Sequence, residues 1–457
     1  MLDDRKRRVD PFSPPGVTEE MLTPEYWLER TAGAEELLLT KTGLDDLNNR
    51  TFQIMKEQGW QHDLYQLEEF PTELNRAELL AIIAAYSGPG VFPAQPCYNQ
   101  QGRPITESER EAVLARANLA GIPPAIRVKF GLLLRREDLR AFPTEDLAVT
   151  SPDLIDHDLF QLTSLSPNSP VAVLHHSTDG RWSYVQSTIY RGWLRSDSIA
   201  ITAQRAELFD FLRRDSFLTV SGAWVETEPN PFDRRISNLK YQMGDQLPLA
   251  EPAEIPDSIP AGHPHGQAPL GNYVIKVPVR DETGALKFKL ALLRRRNDLQ
   301  AGYLPYTRAN LLRQTFKMLG ERYGWGGSFG RRDCSRFVLD IYRSVGVILP
   351  RDANRQEVGT AGRLIRFSGS VAARKKQLAQ LAAGDPLYLK GHVMVYLGRV
   401  QGKDYVIHDG AGYAVRKQTG KIKAVTVHGV FVMELEQLLT SGKQSYLEAL
   451  TIGRSFK

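Results

Sequence analysis

The sequence predicts a multidomain α+β protein: a helical N-terminal region, two small β-barrels in series, and a C-terminal α+β domain that carries the chemistry. Three observations predict this. At roughly 100–200 residues per domain, 457 residues make three or four domains. Near residue 122 helical periods give way to short alternating apolar runs. Near residue 303 a helical period returns and leads into a glycine-rich loop, a cysteine and two histidine-bearing strands. The expected segments are 1–121 (arm and helices), 122–202 (first barrel), 203–301 (second barrel) and 302–457 (C-terminal α+β domain).

The elements follow in order. Residues 1–25 are polar and proline-containing and read as an extended arm. Thr23 before Pro24 is a helix-start signal. RAELLAIIAAYSGPG is an apolar helix stopped by Ser-Gly-Pro-Gly, and SEREAVLARANLAG is a second helix with a glycine stop. In the first β segment Val171, Val173 and His175 alternate, Asp179-Gly180 makes a hairpin turn, and Trp182, Tyr184 and Gln186 continue on the next strand. FLTVSGAWVETEP and LGNYVIKVPVR repeat the β texture around a loop rich in proline, glycine and histidine. His263 and His265 in that loop lack a nearby carboxylate or cysteine partner, so the segment reads as a polar loop and not as a metal site. YLPYTRANLLRQTFKMLG is a helix with apolar spacing at Leu311, Leu312, Phe316 and Leu319.

Composition narrows the function. A net charge of +5 over 457 residues is small and spread along the chain, which argues only weakly for an anionic partner and reads as a solvated mixed-charge surface; no nucleic acid partner is expected. Two cysteines, Cys97 and Cys334, give no disulfide framework and no cysteine-based zinc site. No apolar run is long enough to span a membrane. The N-terminus shows no apolar leader, so the chain reads as cytoplasmic or as the mature part of an exported protein.

The chemistry lies in ERYGWGGSFGRRDCSRFVLDIYRSVG. Glycines precede Asp333-Cys334-Ser335, and Cys334 opens a helix whose apolar face is Phe337, Val338, Ile341 and Tyr342, with Gly346 as its stop. Partial positive charge at a helix start favours thiolate over thiol and is expected to lower the cysteine pKa. Free backbone N–H groups there can hold a developing oxyanion, and the glycines would let a substrate backbone come close. A phosphate-binding loop is excluded, because Gly-Lys-Ser/Thr is missing. Downstream, His392 opens one strand and His408 closes the next, with Asp409-Gly410 expected as a turn. Side by side, His392 would take the thiol proton and His408 would hold its far ring nitrogen.

Tyr323-Gly-Trp325-Gly-Gly, Asp333-Cys334-Ser335, Gly391-His392-Val393 and His408 together resemble the NlpC family of bacterial cell-wall cysteine peptidases. The resemblance covers roughly residues 303–457. It implies a papain-like core, with a cysteine-bearing helix packed on a histidine-bearing antiparallel sheet, although the local papain signature around the cysteine is missing. It also implies hydrolysis of peptidoglycan stem peptides, commonly between γ-D-glutamate and the following diamino acid, with Cys334 as nucleophile, His392 as base and His408 as third polar residue. No metal or cofactor is implied. Residues 122–202 resemble a bacterial SH3 domain in DGRWSYVQ and GWLRSDSIAI, and 203–301 look like a second, divergent copy. In proteins so built, the barrel beside the catalytic domain narrows the cleft and helps select a free N-terminal L-alanine. A barrel aromatic meets the substrate there, and Trp182, Tyr184, Tyr190 and Trp193 are the candidates. The same subgroup binds the amine through an Asp in Pro-Arg-Asp-Ala, which here is Pro350-Arg351-Asp352-Ala353, so Asp352 is expected to anchor the ammonium group. Asp333 and Ser335 would hold substrate polar groups, and the Tyr323 hydroxyl would lie near the oxyanion or the amine. Arg336 stands where the family has a small residue and is expected to add charge near the cleft.

Two rival functions share these residues: an acyltransferase or another amidase on the same core, and a non-catalytic protein whose barrels hold peptidoglycan. The expected substrate puts the protein in the periplasm or outside the cell. A requirement for free L-alanine would also suit recycling of released peptides in the cytoplasm.

Overall fold

The computed structural model describes residues 12–94 and 96–457. The first eleven residues of the expected arm lie outside the described residues. From residue 12 onward the chain is packed and not extended: Val17, Met21 and Trp27 are buried, and the Trp27 indole N–H donates to the Met21 carbonyl at 2.9 Å. Alternation of polar and apolar residues hid this, because the apolar residues are too few to show a period.

Two compact units cut across the four segments read along the chain. One takes in the described residues as far as Trp60, then 303–323 and 331–457; the other takes in 61–302 and 324–330.

In the larger unit, helices α1 (Arg76–Ser87) and α2 (Glu107–Arg116) each begin with a capping box, Asn75 with Glu78 and Thr106 with Glu109. They have no core of their own. Leu79 and Ile83 of α1 join a cluster with Trp182, Tyr184 and Trp193 of the adjoining sheet, and Val113 of α2 packs with Cys97, Phe142 and Phe160. That sheet has seven antiparallel strands: β1 (Lys129–Leu133), β2 (Glu137–Arg140), β3 (Gln161–Leu165), β4 (Pro170–His176), β5 (Trp182–Ser187), β6 (Arg191–Arg195) and β7 (Ile199–Ile201). Their order is β3-β2-β6-β5-β4-β1-β7. The β4–β5 hairpin turns at Gly180 with φ 66°, as Asp-Gly predicts. A second β region has its own core around Leu218, Val220, Tyr241, Val277 and Leu293, and includes the long hairpin Asn272–Arg280 with Leu286–Arg294. In the polar loop nearby, His263 stacks on Phe232 with centroids 3.8 Å apart.

In the other unit, helix α3 (Arg308–Phe316) is capped by Thr307. Helix α4 (Cys334–Ser344) runs from the cysteine to the predicted stop, where Gly346 has φ 85°. Phe337, Val338, Ile341 and Tyr342 are fully buried, each worth about 1.5–3 kcal/mol of apolar burial. They face a six-stranded antiparallel sheet of β8 (Arg363–Arg366), β9 (Pro386–Leu389), β10 (His392–Val400), β11 (Lys403–Arg416), β12 (Ile422–Glu434) and β13 (Leu450–Ser455), in the order β8-β13-β9-β10-β11-β12. Residues before Trp60 brace this unit. Thr51 accepts from the Ala361 amide and Asn48 bonds to both Gly346 and Ile348, which fixes the ends of the segment that carries Arg351 and Asp352.

One expectation fails in the sheet. Asp409-Gly410 is not a turn: β11 continues through it, pairing Asp409 with Val430 and Gly410 with Gly429. The chain absorbs the irregularity as a bulge between Gly410 and Gly412, and it reverses at Lys417–Gly420. Asp-Gly is a turn signal only where no neighbouring strand claims its backbone groups.

Candidate active site

Cys334 is the first residue of α4, and Asp333 is its N-cap. The Asp333 carboxylate accepts from the Arg336 amide at 2.9 Å and from the Ser335 hydroxyl at 3.0 Å. The Cys334 side chain is buried and its sulfur accepts a hydrogen bond from the Val393 amide. That contact puts the thiol against the residue that follows His392 on β10.

His392 Nε2 and His408 Nδ1 are 2.7 Å apart, with the rings at 80° to each other. Sequence spacing foresaw this pairing across the β10–β11 hairpin, whose turn is the tight Gln401-Gly402 with φ 51° and 80°. When Nε2–H of His392 donates to Nδ1 of His408, the tautomer is fixed and Nδ1 of His392 carries a lone pair that can accept a proton. His408 packs on Phe431 with centroids 4.4 Å apart and is 1 % exposed. Gly410 makes room for the pair: a Cβ there would lie 2.9 Å from the His408 ring and 3.7 Å from His392 Cε1. Gly410→Ala is therefore expected to displace the imidazoles and lower kcat/KM by about 10²-fold, as misplacement of catalytic groups by about 1 Å does. Steady-state kinetics beside a melting curve would check that the loss is catalytic.

The electrostatics differ from the helix-start expectation. Burial pushes the Cys334 thiol up to about 12, and the nearby Asp333 and Asp409 add to this, while the Val393 amide and Arg351 oppose it. Burial takes His392 down to about 4 and holds His408 well below the usual imidazole range. The resting pair is a neutral thiol beside a neutral imidazole. Partial charge at a helix terminus amounts to about 1 kcal/mol, too little to outweigh desolvation at a buried sulfur.

The other expected site residues sit as follows. Arg351 is 1 % exposed and clamps Asp333 with two nitrogens, at 2.6 and 3.0 Å, and the Ser335 hydroxyl at 2.8 Å. The polar atoms of Asp333 and Ser335 are thus engaged inside the protein. Asp352 precedes the short helix Ala353–Gly359, its side chain does not cap that helix, and it is partly exposed. Tyr323 is bound to β12 through its amide, which donates to the His428 carbonyl at 2.9 Å. Burial and the neighbouring Cys334, Asp333 and Asp409 drive its phenol far above the ordinary range, so it stays a hydrogen-bond donor. Arg336 does not add charge to a cleft: it is 2 % exposed and its guanidinium donates to Asp340, one turn on, at 2.7 Å.

Two buried charged side chains near Cys334 escaped the sequence reading. Arg351 carried only the weak signal of its place before Asp352. Asp409 was read as part of a turn, yet it is fully buried, within electrostatic reach of Cys334, and without a hydrogen-bond partner on either oxygen.

The glycine-rich loop also has a different role from the one expected. Residues 324–330 belong to the barrel-bearing unit. Trp325 stacks on His157 with centroids 3.7 Å apart. Gln161 donates to the Gly326 carbonyl at 3.0 Å and Arg136 to that of Gly327 at 2.9 Å. A Cβ on Gly327 would lie 2.3 Å from Ser164 Oγ. The glycines admit the protein's own strand β3, where a substrate backbone was expected. Of the four candidate barrel aromatics, Trp182, Tyr184 and Trp193 lie in a core cluster, and only Tyr190 is partly exposed.

Two segments of the chain match known protein families. Residues 320–432 match the model of the NlpC/P60 family, and residues 150–195 match that of the SH3 domain, SH3b1 type. Among solved structures, the chain is similar to an NlpC/P60 endopeptidase from Photobacterium damselae subsp. piscicida, with a TM-score of 0.67 at 17 % identity over 93 % of this chain and 94 % of that one. That likeness shows a shared fold. An NlpC/P60 family protein from Bacillus cereus ATCC 10987 aligns at a TM-score of 0.43 and 20 % identity over 65 % of this chain and 82 % of that one. No curated protein matches the chain. No helix among the described residues is long and apolar enough to cross a membrane.

Proposed function

From a chain that carries an NlpC/P60 domain and an SH3 domain, we propose a cysteine endopeptidase that hydrolyses peptidoglycan stem peptides at the γ-D-glutamyl–diamino acid bond, in peptides with a free N-terminal L-alanine. The observation that carries the reading is the His392–His408 pair at 2.7 Å beside a helix-capping thiol that rests on the Val393 amide.

The mechanism follows from those positions. Nδ1 of His392 takes the proton of Cys334 as its sulfur attacks the γ-carbonyl carbon. The oxyanion meets the N–H groups at the start of α4, which have no carbonyl partner one turn earlier, and in this reading the Tyr323 hydroxyl, kept protonated close to Cys334, is a further donor. The imidazolium, steadied by His408, protonates the leaving amine, and a thioester remains on Cys334. Water, deprotonated by His392, then releases the acid product and the thiol.

Asp352 supports the choice of a free N-terminus. A partly exposed carboxylate favours an ammonium group over an acylated nitrogen, which brings no charge. The sheet over 122–202 and the strands over 203–301 are read in the same proposal as two wall-facing barrels, and the substrate sets the compartment as periplasmic or external, or as a place of peptide recycling.

The test is cleavage of L-Ala-γ-D-Glu-diaminopimelate, followed by mass spectrometry, with an N-acetylated copy alongside. Wild type should release L-Ala-D-Glu from the free peptide and spare the acetylated one. Asp352→Ala should lose about 10–100-fold in kcat/KM on the free peptide, the value of one charge-assisted contact, and should narrow the gap between the two peptides. If wild type binds peptidoglycan and cleaves neither peptide, the reading is wrong and the chain is a wall-binding protein. If an added amine captures the acyl group in place of water, it is an acyltransferase.

A further inference from the structure

Asp409 is an anomaly of charge and of hydrogen bonding. It sits on β11 beside His408 and opposite Val430, fully buried, and neither carboxyl oxygen has a partner. A buried carboxylate with no hydrogen bond is among the costliest groups a fold can hold, so its surroundings decide what form it takes.

Those surroundings are crowded with charge. Arg332 donates to Glu321 at 2.8 Å and to Asp340 at 2.7 Å. Arg336 donates to Asp340 and Arg351 to Asp333. Three guanidinium groups thus meet four carboxyl groups, and three of the four are engaged. Asp409 is the fourth. The groups that face it are Glu321 and Tyr323 from the segment bridged to β12 at Gly429, Arg332 and Asp333 from the segment before α4, and Cys334 at the start of α4, while His408, its neighbour on β11, points to the other face of the sheet. The nearby acids repel a further negative charge, and Arg332 is already shared by two other carboxylates. A second negative charge beside the thiol would also oppose its ionisation.

We propose that Asp409 is a further positioning residue of the site: it carries its proton in the working enzyme, puts no charge beside the nucleophile, and so permits Cys334 to become a thiolate. This deepens the peptidase reading and rests on it for its consequence in turnover, but its central observable, the titration of the thiol, does not need a substrate. Burial and the acidic neighbours push the Asp409 carboxyl up to about 9, which keeps it neutral in the range where His392 can act as base. Above that pH it ionises, and the thiolate must form against a new charge.

Asparagine is the neutral isostere. The experiment measures the rate of iodoacetamide alkylation of Cys334 from pH 6 to 11 in wild type and Asp409→Asn, alongside melting curves at pH 4 and pH 8. Asp409→Asn should shift the thiol titration to lower pH and raise the alkylation rate near pH 10 by about three- to tenfold, as loss of one nearby like charge does. The carboxyl's folded pKa is raised, so its contribution to stability is intact below the unfolded value near ~3.9 and is lost as pH rises toward the folded one. The variant should therefore melt higher than wild type at pH 8 and alike at pH 4. Superimposable titrations, or a variant that melts lower than wild type at pH 8, would overturn the proposal, because the carboxyl would then be ionised and paired. If the titration shifts while no stem peptide is cleaved, the peptidase reading fails and the role of Asp409 stands.

Discussion

Cys334→Ser is expected to lower turnover of the stem peptide by ~10⁴-fold or more, with stability changed by about 1 kcal/mol or less. The hydroxyl would occupy the same place on the Val393 amide, so the fold loses nothing that holds it. The chemistry loses its nucleophile. A serine hydroxyl gives up its proton far less readily than a thiol, and nothing here compensates: burial already drives the thiol up to about 12 and takes His392 down to about 4. With both groups neutral at rest, proton transfer must occur as the carbon–sulfur bond forms. Two readouts follow in the wild type. The acid limb of kcat/KM should lie near pH 4, well below the ordinary imidazole value of ~6.5, because only protonation of His392 silences the base. Acylation should show a solvent deuterium isotope effect clearly above one, as concerted general-base catalysis requires; an effect of one would point to a preformed thiolate–imidazolium pair. Alkylation gives an independent check of the residue, since Cys97 is fully buried and one equivalent of label should go to Cys334.

How much of this was legible in the sequence depends on the range of each interaction. The start of α4, its apolar face and its glycine stop are local, and each was readable from residues within one or two turns. The His392–His408 pairing needed only a short hairpin between two strands, so strand spacing sufficed. Contacts between residues far apart in the chain left no such trace. Arg351 reaches Asp333 from 18 residues away, and Gly327 is a glycine because of Ser164, which no pattern near residue 327 reveals. The state of Cys334 was misread for a related reason. A helix start is visible in sequence, but burial, which dominates the thiol's ionisation, is a property of the assembled sheet and helix. Asp409 shows the same limit: next to glycine it has the composition of a turn, and only pairing with β12 makes it a strand residue within electrostatic reach of Cys334.

Arg351→Gln carries the second large expectation, on stability as well as on catalysis. Removing the guanidinium takes from the Asp333 carboxylate, buried at the start of α4, its cationic clamp, while the Ser335 hydroxyl and Arg336 amide still donate to it. Breaking a buried pair on one side costs about 3 kcal/mol, which for a unit of this size lowers Tm by about 6–12 °C. The pH dependence separates this cause from simple loss of packing. Burial works to raise the pKa of Asp333, but the charge and hydrogen bonds of Arg351 outweigh it and hold the carboxyl below its usual range. Stability from a lowered carboxyl pKa is present above the unfolded value near ~3.9 and is lost as pH falls through the folded one. Wild type should therefore lose this contribution in acid, and the gap between wild type and Arg351→Gln should narrow from pH 7 to pH 3, as read by urea unfolding. A gap independent of pH would mean that Arg351 acts by filling space. Catalysis should suffer in parallel, because Arg351 is one of the groups that favour the thiolate. At a pH where Asp333 stays ionised in the variant, loss of the cation leaves the field at the sulfur more negative, and alkylation of Cys334 should slow in the fraction that stays folded.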